Sequence, residues 1–194
     1  MPTVGQVIGQ CATSVVAGLS SQIIAEIRIL EPNVFVPFND LNVTTEVGRL
    51  FLQAEAKEAL KRAIQARGVT LKVNSAYRTC AQQFMLFEQY QQKLCGVRLA
   101  ARPGKSDHED ALAIDIQGYT AWKPFLITEG WRWQGSGDPV HFSYLGGRGD
   151  IGNVGVKAFQ RLWNRYHPND RIAADGVYGN ETAQRLRNTP VNGF

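Results

Sequence analysis

The chain reads PGKSDHEDALAID from Pro103 to Asp115 and GDPVHF from Gly137 to Phe142. These two stretches contain two of the three histidines in the 194-residue chain. A hydrolytic zinc site commonly takes three ligands from histidine and carboxylate side chains and leaves a fourth position for water. The residues that can supply such a set are His108, Asp115 and His141, and Asp138 can supply a general base.

The residues around Asp115 alternate as the residues of a strand do. Residues 111–116 place Asp115 on one face and Ile114 and Ile116 on the other, apolar face. His108 would lie in the loop that enters this strand, after a Pro-Gly turn signal. Residues 140–144 predict a second short strand, whose start tolerates a proline. Two neighbouring strands would therefore bring His141 beside Asp115.

The order of these residues resembles a known family. The motifs that carry the resemblance are Ser106-x-His108, Ala113-x-Asp115 and Asp138-x-x-His141, preceded by Ser75-Ala76-Tyr77-Arg78-Thr79. They resemble the zinc D-Ala-D-Ala peptidases, that is, the VanY-like or LAS metallopeptidases, which include vancomycin-resistance carboxypeptidases and phage endolysins of the L-Ala-D-Glu peptidase type. The resemblance implies an α+β fold like that of the hedgehog domain, with a small antiparallel sheet and flanking helices.

The same resemblance implies the roles of individual residues. It implies one Zn²⁺ ion held by His108, Asp115 and His141, with Asp138 as the general base where the family often has glutamate. The family pattern has a glycine at the position of Ala111. We expect a strand backbone at Ala111, which alanine can adopt.

Three further residues resemble substrate contacts of the family. Arg78, just after a predicted strand over Val69–Ser75, would hold a substrate carboxylate or stabilise an oxyanion. From the residues alone, a surface salt bridge or a cation–π contact is the favoured role of Arg78. Gln83 and Ser106 are proposed substrate contacts, but Gln83 could be an ordinary helix residue and Ser106 could serve only to stabilise its loop.

Helical periodicity recurs along the chain. It predicts an amphipathic helix behind Thr13 that reaches Leu30, and a second helix that begins at Thr44 or Thr45, carries Val47 and ends at Gly68. Further helices are predicted over residues 81–94 and 120–129. We expect no segment long enough to span a membrane and find no readable signal peptide.

The C-terminal part differs in composition. A glycine-rich break at residues 146–150 separates a peptidase domain, residues 1–147, from residues 151–194, where six Lys and Arg face three Asp and Glu. Phe159-Gln160 on one helix and Asp175-Gly176 before another resemble a peptidoglycan-binding helical repeat. We expect this small helical element to bind the cell wall.

Charge and cysteine content argue against nucleic-acid binding, a cysteine metal site and a cysteine nucleophile. The net charge of +4 is too modest to indicate nucleic acid as a partner. The cysteines, Cys11, Cys80 and Cys95, have no metal-ligand spacing, and we expect thiols, with a Cys80–Cys95 bridge as an alternative. A nucleophilic Cys80 is disfavoured because nothing nearby in sequence would lower its pKa.

The sequence thus predicts a monomeric zinc peptidase that cleaves peptidoglycan stem peptides in the cell envelope, periplasmic or extracellular, as a D,D-carboxypeptidase or endopeptidase. A zinc-stabilised binding module without turnover is the alternative. Asp138 favours the enzyme, because a binding module needs no carboxylate beside the open position of a metal. A structural wall-anchoring protein would leave the three ligands unexplained.

Overall fold

The computed structural model describes residues 1–46 and 48–194, and its mixed helices and strands confirm the predicted α+β class. The helices are α1 (Ala17–Leu30), α2 (Ala54–Arg67), α3 (Cys80–Gln91), α4 (Tyr119–Thr128), α5 (Ile151–Tyr166) and α6 (Asn180–Asn188). The strands are β1 (Val36–Pro37), β2 (Val43–Thr45), β3 (Phe51–Leu52), β4 (Leu71–Ser75), β5 (Ala113–Ile116), β6 (Trp131–Trp133) and β7 (His141–Tyr144). Short 3₁₀ helices cover Val4–Val7 and Thr13–Val16.

A five-stranded sheet has the strand order β2-β4-β5-β7-β6. All its pairs are antiparallel except β2 with β4, which is parallel. One face is apolar, because Ile114 and Ile116 of β5 and Phe142 of β7 are fully buried. The opposite face is therefore the one that carries Asp115 and His141.

The chain divides into two compact units, each made of separate segments. The first contains Met1–Pro32, Thr79–Glu109 and Asp150–Phe194, and the second contains Asn33–Arg78 and Asp110–Gly149. The second unit holds the sheet, and helices α2 and α4 contribute to the same apolar core. The division into residues 1–147 and 151–194 stays a prediction.

In the first unit a buried carboxylate joins α1 to α5. Glu26 is 1% exposed and accepts hydrogen bonds from Arg161 Nε at 2.7 Å and from Arg165 at 2.8 Å. Burial alone would raise the pKa of Glu26, but the hydrogen bonds from the two arginines outweigh it and lower this pKa. The ionised form of Glu26 therefore stabilises this unit.

The cysteine prediction is wrong. Cys11 and Cys95 form a disulfide, and Cys80 is the free, buried thiol. The partners lie 84 residues apart in sequence, and local spacing does not reveal such a pairing. The Cys80–Cys95 bridge is absent because Cys95 is bonded to Cys11, and the Cys80 thiol lies 3.4 Å from the carbonyl oxygen of Gly155 inside the first unit.

The predicted start of the second helix is also wrong. Residues 43–45 form β2, and α2 begins only at Ala54, after Gln53. The side-chain amide of Gln53 donates to the carbonyl oxygens of Asp110 at 2.7 Å and Arg148 at 2.6 Å, so long-range contacts fix this helix start. The predicted end is confirmed, since Gly68 has a φ of 72°. Val47 lies outside the described residues.

Among the described residues, one helical segment qualifies as a membrane span by length and composition alone. It is Thr13–Leu30, so the expectation that no segment is long enough is wrong. Core helices of soluble proteins and signal sequences near an N-terminus meet the same criterion. The segment contains the buried Glu26, which is paired with arginines. A segment with these properties is only weak evidence for a membrane span.

Candidate active site

The predicted pairing of the two short strands is confirmed. β5 and β7 are antiparallel, and Asp115 lies directly opposite His141. Directly opposed residues of an antiparallel pair share a face. The Nδ1 atom of His141 is 3.0 Å from Asp115 Oδ1, and both side chains are mostly shielded from solvent.

His108 lies in a loop that is tied together by Glu109. The buried Glu109 carboxylate accepts the backbone N–H of Gly104 at 2.9 Å and that of Ser106 at 3.4 Å. The Ser106 hydroxyl accepts the backbone N–H of His108 at 3.3 Å. Gly104 has a φ of +81°, a conformation that favours glycine. These contacts fix the backbone that carries the buried His108.

Three side chains form a group that could hold a metal ion. One ligand atom from each of His108, Asp115 and His141 lies within 4.8 Å of the other two. Two imidazole nitrogens and a carboxylate oxygen are a donor set typical of hydrolytic zinc sites, so these side chains fit a zinc ion.

Asp138 is not a member of this group. It lies in the turn between β6 and β7, where its backbone carbonyl accepts the N–H of His141 at 3.2 Å. The Trp133 indole N–H donates to the carbonyl of Pro139 at 2.9 Å and ties the turn to β6. Asp138 is exposed. The turn therefore presents this carboxylate to solvent three residues before the His141 side chain.

Arg78 lies beside Asp115 of the sheet. Its guanidinium is 3.8 Å from the Asp115 carboxylate and 3.4 Å from the Ser75 hydroxyl. The Arg78 side chain is 17% exposed, so it is not an ordinary surface arginine. This position places a planar set of donors next to a proposed metal ligand.

Gln83 and Ser106 make hydrogen bonds within the protein. The Gln83 amide donates to the carbonyl oxygen of Ala101 at 2.7 Å from a buried position on α3. Ser106 supports the His108 backbone, as described above. Their structural contacts agree with the alternative interpretations given for both residues, and their substrate contacts stay predictions.

The expectation of a strand backbone at Ala111 is wrong. Ala111 has a φ of +55°, and β5 begins only at Ala113. This left-handed conformation disfavours residues with a Cβ, which gives a physical reason for glycine in the family pattern. The position is fully buried, and its carbonyl accepts the backbone N–H of Gln53 at 2.9 Å.

Ser143 is a residue of the site that the sequence reasoning missed. Its hydroxyl is 2.9 Å from Nε2 of His141, and it is 2% exposed. The Nε2 atom of His141 therefore contacts Ser143, and its Nδ1 atom contacts Asp115. The available signal was strand alternation, because Ser143 follows His141 by two residues and so shares its face.

Cys80 is confirmed as an unsuitable nucleophile. Burial, aided by the negative charge of Glu109, raises the pKa of the Cys80 thiol well above its ordinary value. A neutral, buried thiol is inert in nucleophilic chemistry.

A comparison with protein families agrees with this geometry. Residues 51–135 match the family model of VanY, D-alanyl-D-alanine carboxypeptidase. The matched range contains Arg78, His108 and Asp115, whereas Asp138 and His141 lie beyond it. No curated protein matches the chain. The match supports a peptidoglycan hydrolase of the D-alanyl-D-alanine carboxypeptidase type, consistent with action in the cell envelope. Residues 51–135 are therefore VanY-like in sequence.

Proposed function

We propose that this chain is a zinc metallopeptidase that hydrolyses peptide bonds in peptidoglycan stem peptides. The observation that carries the proposal is the group formed by His108, Asp115 and His141, whose ligand atoms lie within 4.8 Å of one another. The group contains both metal-ligand types of a hydrolytic zinc site. Two of its members lie within the range matched by the VanY family.

These three side chains would hold one zinc ion. When bound, zinc supplies Lewis-acid polarisation of the scissile carbonyl and lowers the pKa of water. Ser143 would keep the His141 ring oriented through its hydrogen bond to Nε2. Asp138 would accept a proton from the attacking water and donate it to the departing amine.

Arg78 would bind the substrate. Its guanidinium could hold the terminal carboxylate of a stem peptide, or the oxyanion that develops as the carbonyl is attacked. The proximity of Arg78 to Asp115 supports this role. We also propose Ser106 and Gln83 as substrate contacts, through the loop at His108 and through α3.

The remaining parts of the proposal concern location and attachment. Residues 151–194 would bind the wall as a peptidoglycan-binding element, and the enzyme would act as a monomer in the periplasmic or extracellular part of the envelope. The six basic residues of this segment against three acidic ones support an affinity for an anionic wall.

The test combines metal analysis with product analysis. Purified protein should contain one zinc ion per chain, and His108→Ala and His141→Ala should each remove it. Mass spectrometry of wall fragments after incubation should show either loss of terminal D-Ala, as for a carboxypeptidase, or split crosslinks, as for an endopeptidase. Full zinc occupancy in both histidine variants would reject the ligand assignment.

Asp138→Asn separates the proposed base from the ligands. This change removes the proton acceptor and leaves all three proposed ligands in place, so zinc should stay bound. Turnover should fall by about two or more orders of magnitude, the scale of general-base catalysis. Near-normal turnover would reject this role for Asp138. A parent chain that binds zinc and cleaves nothing would favour the binding module.

A further inference from the structure

The sheet face that carries Asp115 continues away from the proposed metal ligands. In β4, Leu71 and Val73 are buried in the core of the second unit, whereas Lys72 and Asn74 are exposed. Val73 lies opposite Ile116, which belongs to the same core. Lys72 therefore lies on the face opposite the core, as Asp115 does.

A groove occupies this continuation, and most of its lining residues are polar. It has a volume of about 470 Å³, and its lining includes Thr44, Glu46, Lys72, Asn74 and Gln117. The backbone N–H of Gln117 donates to the carbonyl of Lys72 at 2.9 Å. The side-chain amide of Gln117 donates to Asn74 Oδ1 at 3.1 Å. These two hydrogen bonds join the end of β5 to β4 and so hold three of the lining residues in place.

The groove is within reach of one short peptide bound at the proposed active site. Gln117 follows Asp115 by two residues, and strand residues advance by roughly 3.3 Å each, so their backbones are about 7 Å apart. A peptide of a few residues is longer than this distance. A substrate whose scissile bond lies at Asp115 and His141 can therefore place another residue in the groove.

Lys72 is the cation of the groove lining, and its ammonium group favours an anionic group on that residue. Within residues 1–46 and 48–194, Lys72 has no carboxylate within 4.0 Å of its ammonium group. Asn74 and Gln117 add amide groups beside it. A carboxylate on the substrate would supply the missing ion-pair partner. Glu46 also lines the groove, and its charge would repel such a carboxylate.

We propose that this groove binds an internal carboxylate of the stem peptide, with Lys72 as its ion-pair partner. This carboxylate is distinct from the C-terminal one assigned to Arg78. The inference rests on the proposed peptidase function, and it makes Lys72 a determinant of specificity for stem peptides that contain an acidic residue.

The experiment uses two soluble stem peptides that differ only at the internal acidic residue, which is a free carboxylate in one and a carboxamide in the other. The full-length parent should show a higher kcat/KM for the carboxylate peptide. Lys72→Met should lower the ratio of the two kcat/KM values by about two- to fivefold, the size of an exposed ion pair. High salt should reduce the parent's ratio, because ions screen such a pair.

The matched control is Glu46→Gln, which removes a charge from the same lining. It should leave the ratio unchanged or raise it, because a repulsive charge has been removed. An unchanged ratio in Lys72→Met, or an equal decrease in Glu46→Gln, would overturn the proposal.

If the parent cleaves neither peptide, the proposed function fails and calorimetric binding of the two peptides tests the groove. Tighter binding of the carboxylate peptide by the parent than by Lys72→Met supports the groove assignment. Equal binding by both proteins overturns it.

Discussion

Removal of the Ser143 hydroxyl is expected to weaken zinc binding while leaving every proposed ligand in place. In Ser143→Ala, Nε2 of His141 loses a hydrogen bond of 2.9 Å at a residue that is 2% exposed. The ring could then rotate, and Nδ1 would no longer be held 3.0 Å from Asp115 Oδ1. The defect would therefore arise from ligand orientation, because the donor set is unchanged.

The size of the effect follows from this geometry. Loss of an outer hydrogen bond to a ligating histidine typically lowers metal affinity by about 10- to 100-fold, or about 1.4–2.7 kcal/mol. The metal-free variant should lose about 1 kcal/mol of unfolding free energy, because one buried hydrogen bond is removed. The loss in affinity should therefore exceed the loss in stability of the free protein.

Zinc affinity can be measured by competition with a chromophoric chelator, and the unfolding free energy can be measured with urea in a chelating buffer. Asp138→Asn is the matched control, because it alters a nearby carboxylate that is not a proposed ligand and should keep the parent affinity. A zinc affinity for Ser143→Ala within twofold of the parent would refute the reasoning.

Three other predictions concern stability. Glu26→Gln should lower the unfolding free energy by about 2–3 kcal/mol at pH 7. This loss is smaller than for a fully buried ion pair, because the arginine partners of Glu26 are 41% and 50% exposed. Because the pKa of Glu26 is lowered below its ordinary 4.5, this stabilisation is present above pH 4.5 and lost as pH falls through the folded-state value. Urea denaturation should thus show a smaller difference between parent and Glu26→Gln at pH 3 than at pH 7, and an equal difference would contradict this. Ala111→Val should lower the unfolding free energy by at least about 2 kcal/mol, because a residue with a branched side chain does not easily adopt a φ of +55° in a buried position. Ala111→Gly should stay within about 1 kcal/mol of the parent, since relief of the backbone offsets the lost methyl group, and equal thermal melts for both Ala111 variants would reject this. Replacement of Cys11 and Cys95 by serine should lower the unfolding free energy by about 2–4 kcal/mol, because it frees a loop of 84 residues, and an unchanged urea midpoint would contradict the disulfide.

The sequence revealed the parts of the structure that depend on local alternation. The pattern around Asp115 and His141 predicted two strands whose pairing would bring the two side chains together, and the structure pairs these strands. The end of α2 at Gly68 was also predictable from local sequence, because a glycine in the left-handed conformation commonly ends a helix.

Features that depend on distant residues were not predictable. The start of α2 depends on contacts of the Gln53 side chain with residues 57 and 95 positions away. The Cys11–Cys95 disulfide joins positions 84 residues apart. Ala111 is different, because its left-handed backbone is local. The alternation of its neighbours concealed this conformation, and alanine, unlike glycine, gives no signal of it.

The proposed wall-binding role of residues 151–194 cannot be judged by truncation alone. These residues belong to the same compact unit as Met1–Pro32. Their removal would leave Glu26, which is 1% exposed, without its two arginine partners. Loss of both partners from a buried carboxylate is strongly destabilising. A truncated chain that no longer sediments with wall could thus be unfolded, so the role of this segment must be tested through changes at its exposed basic residues, which leave this buried pairing intact.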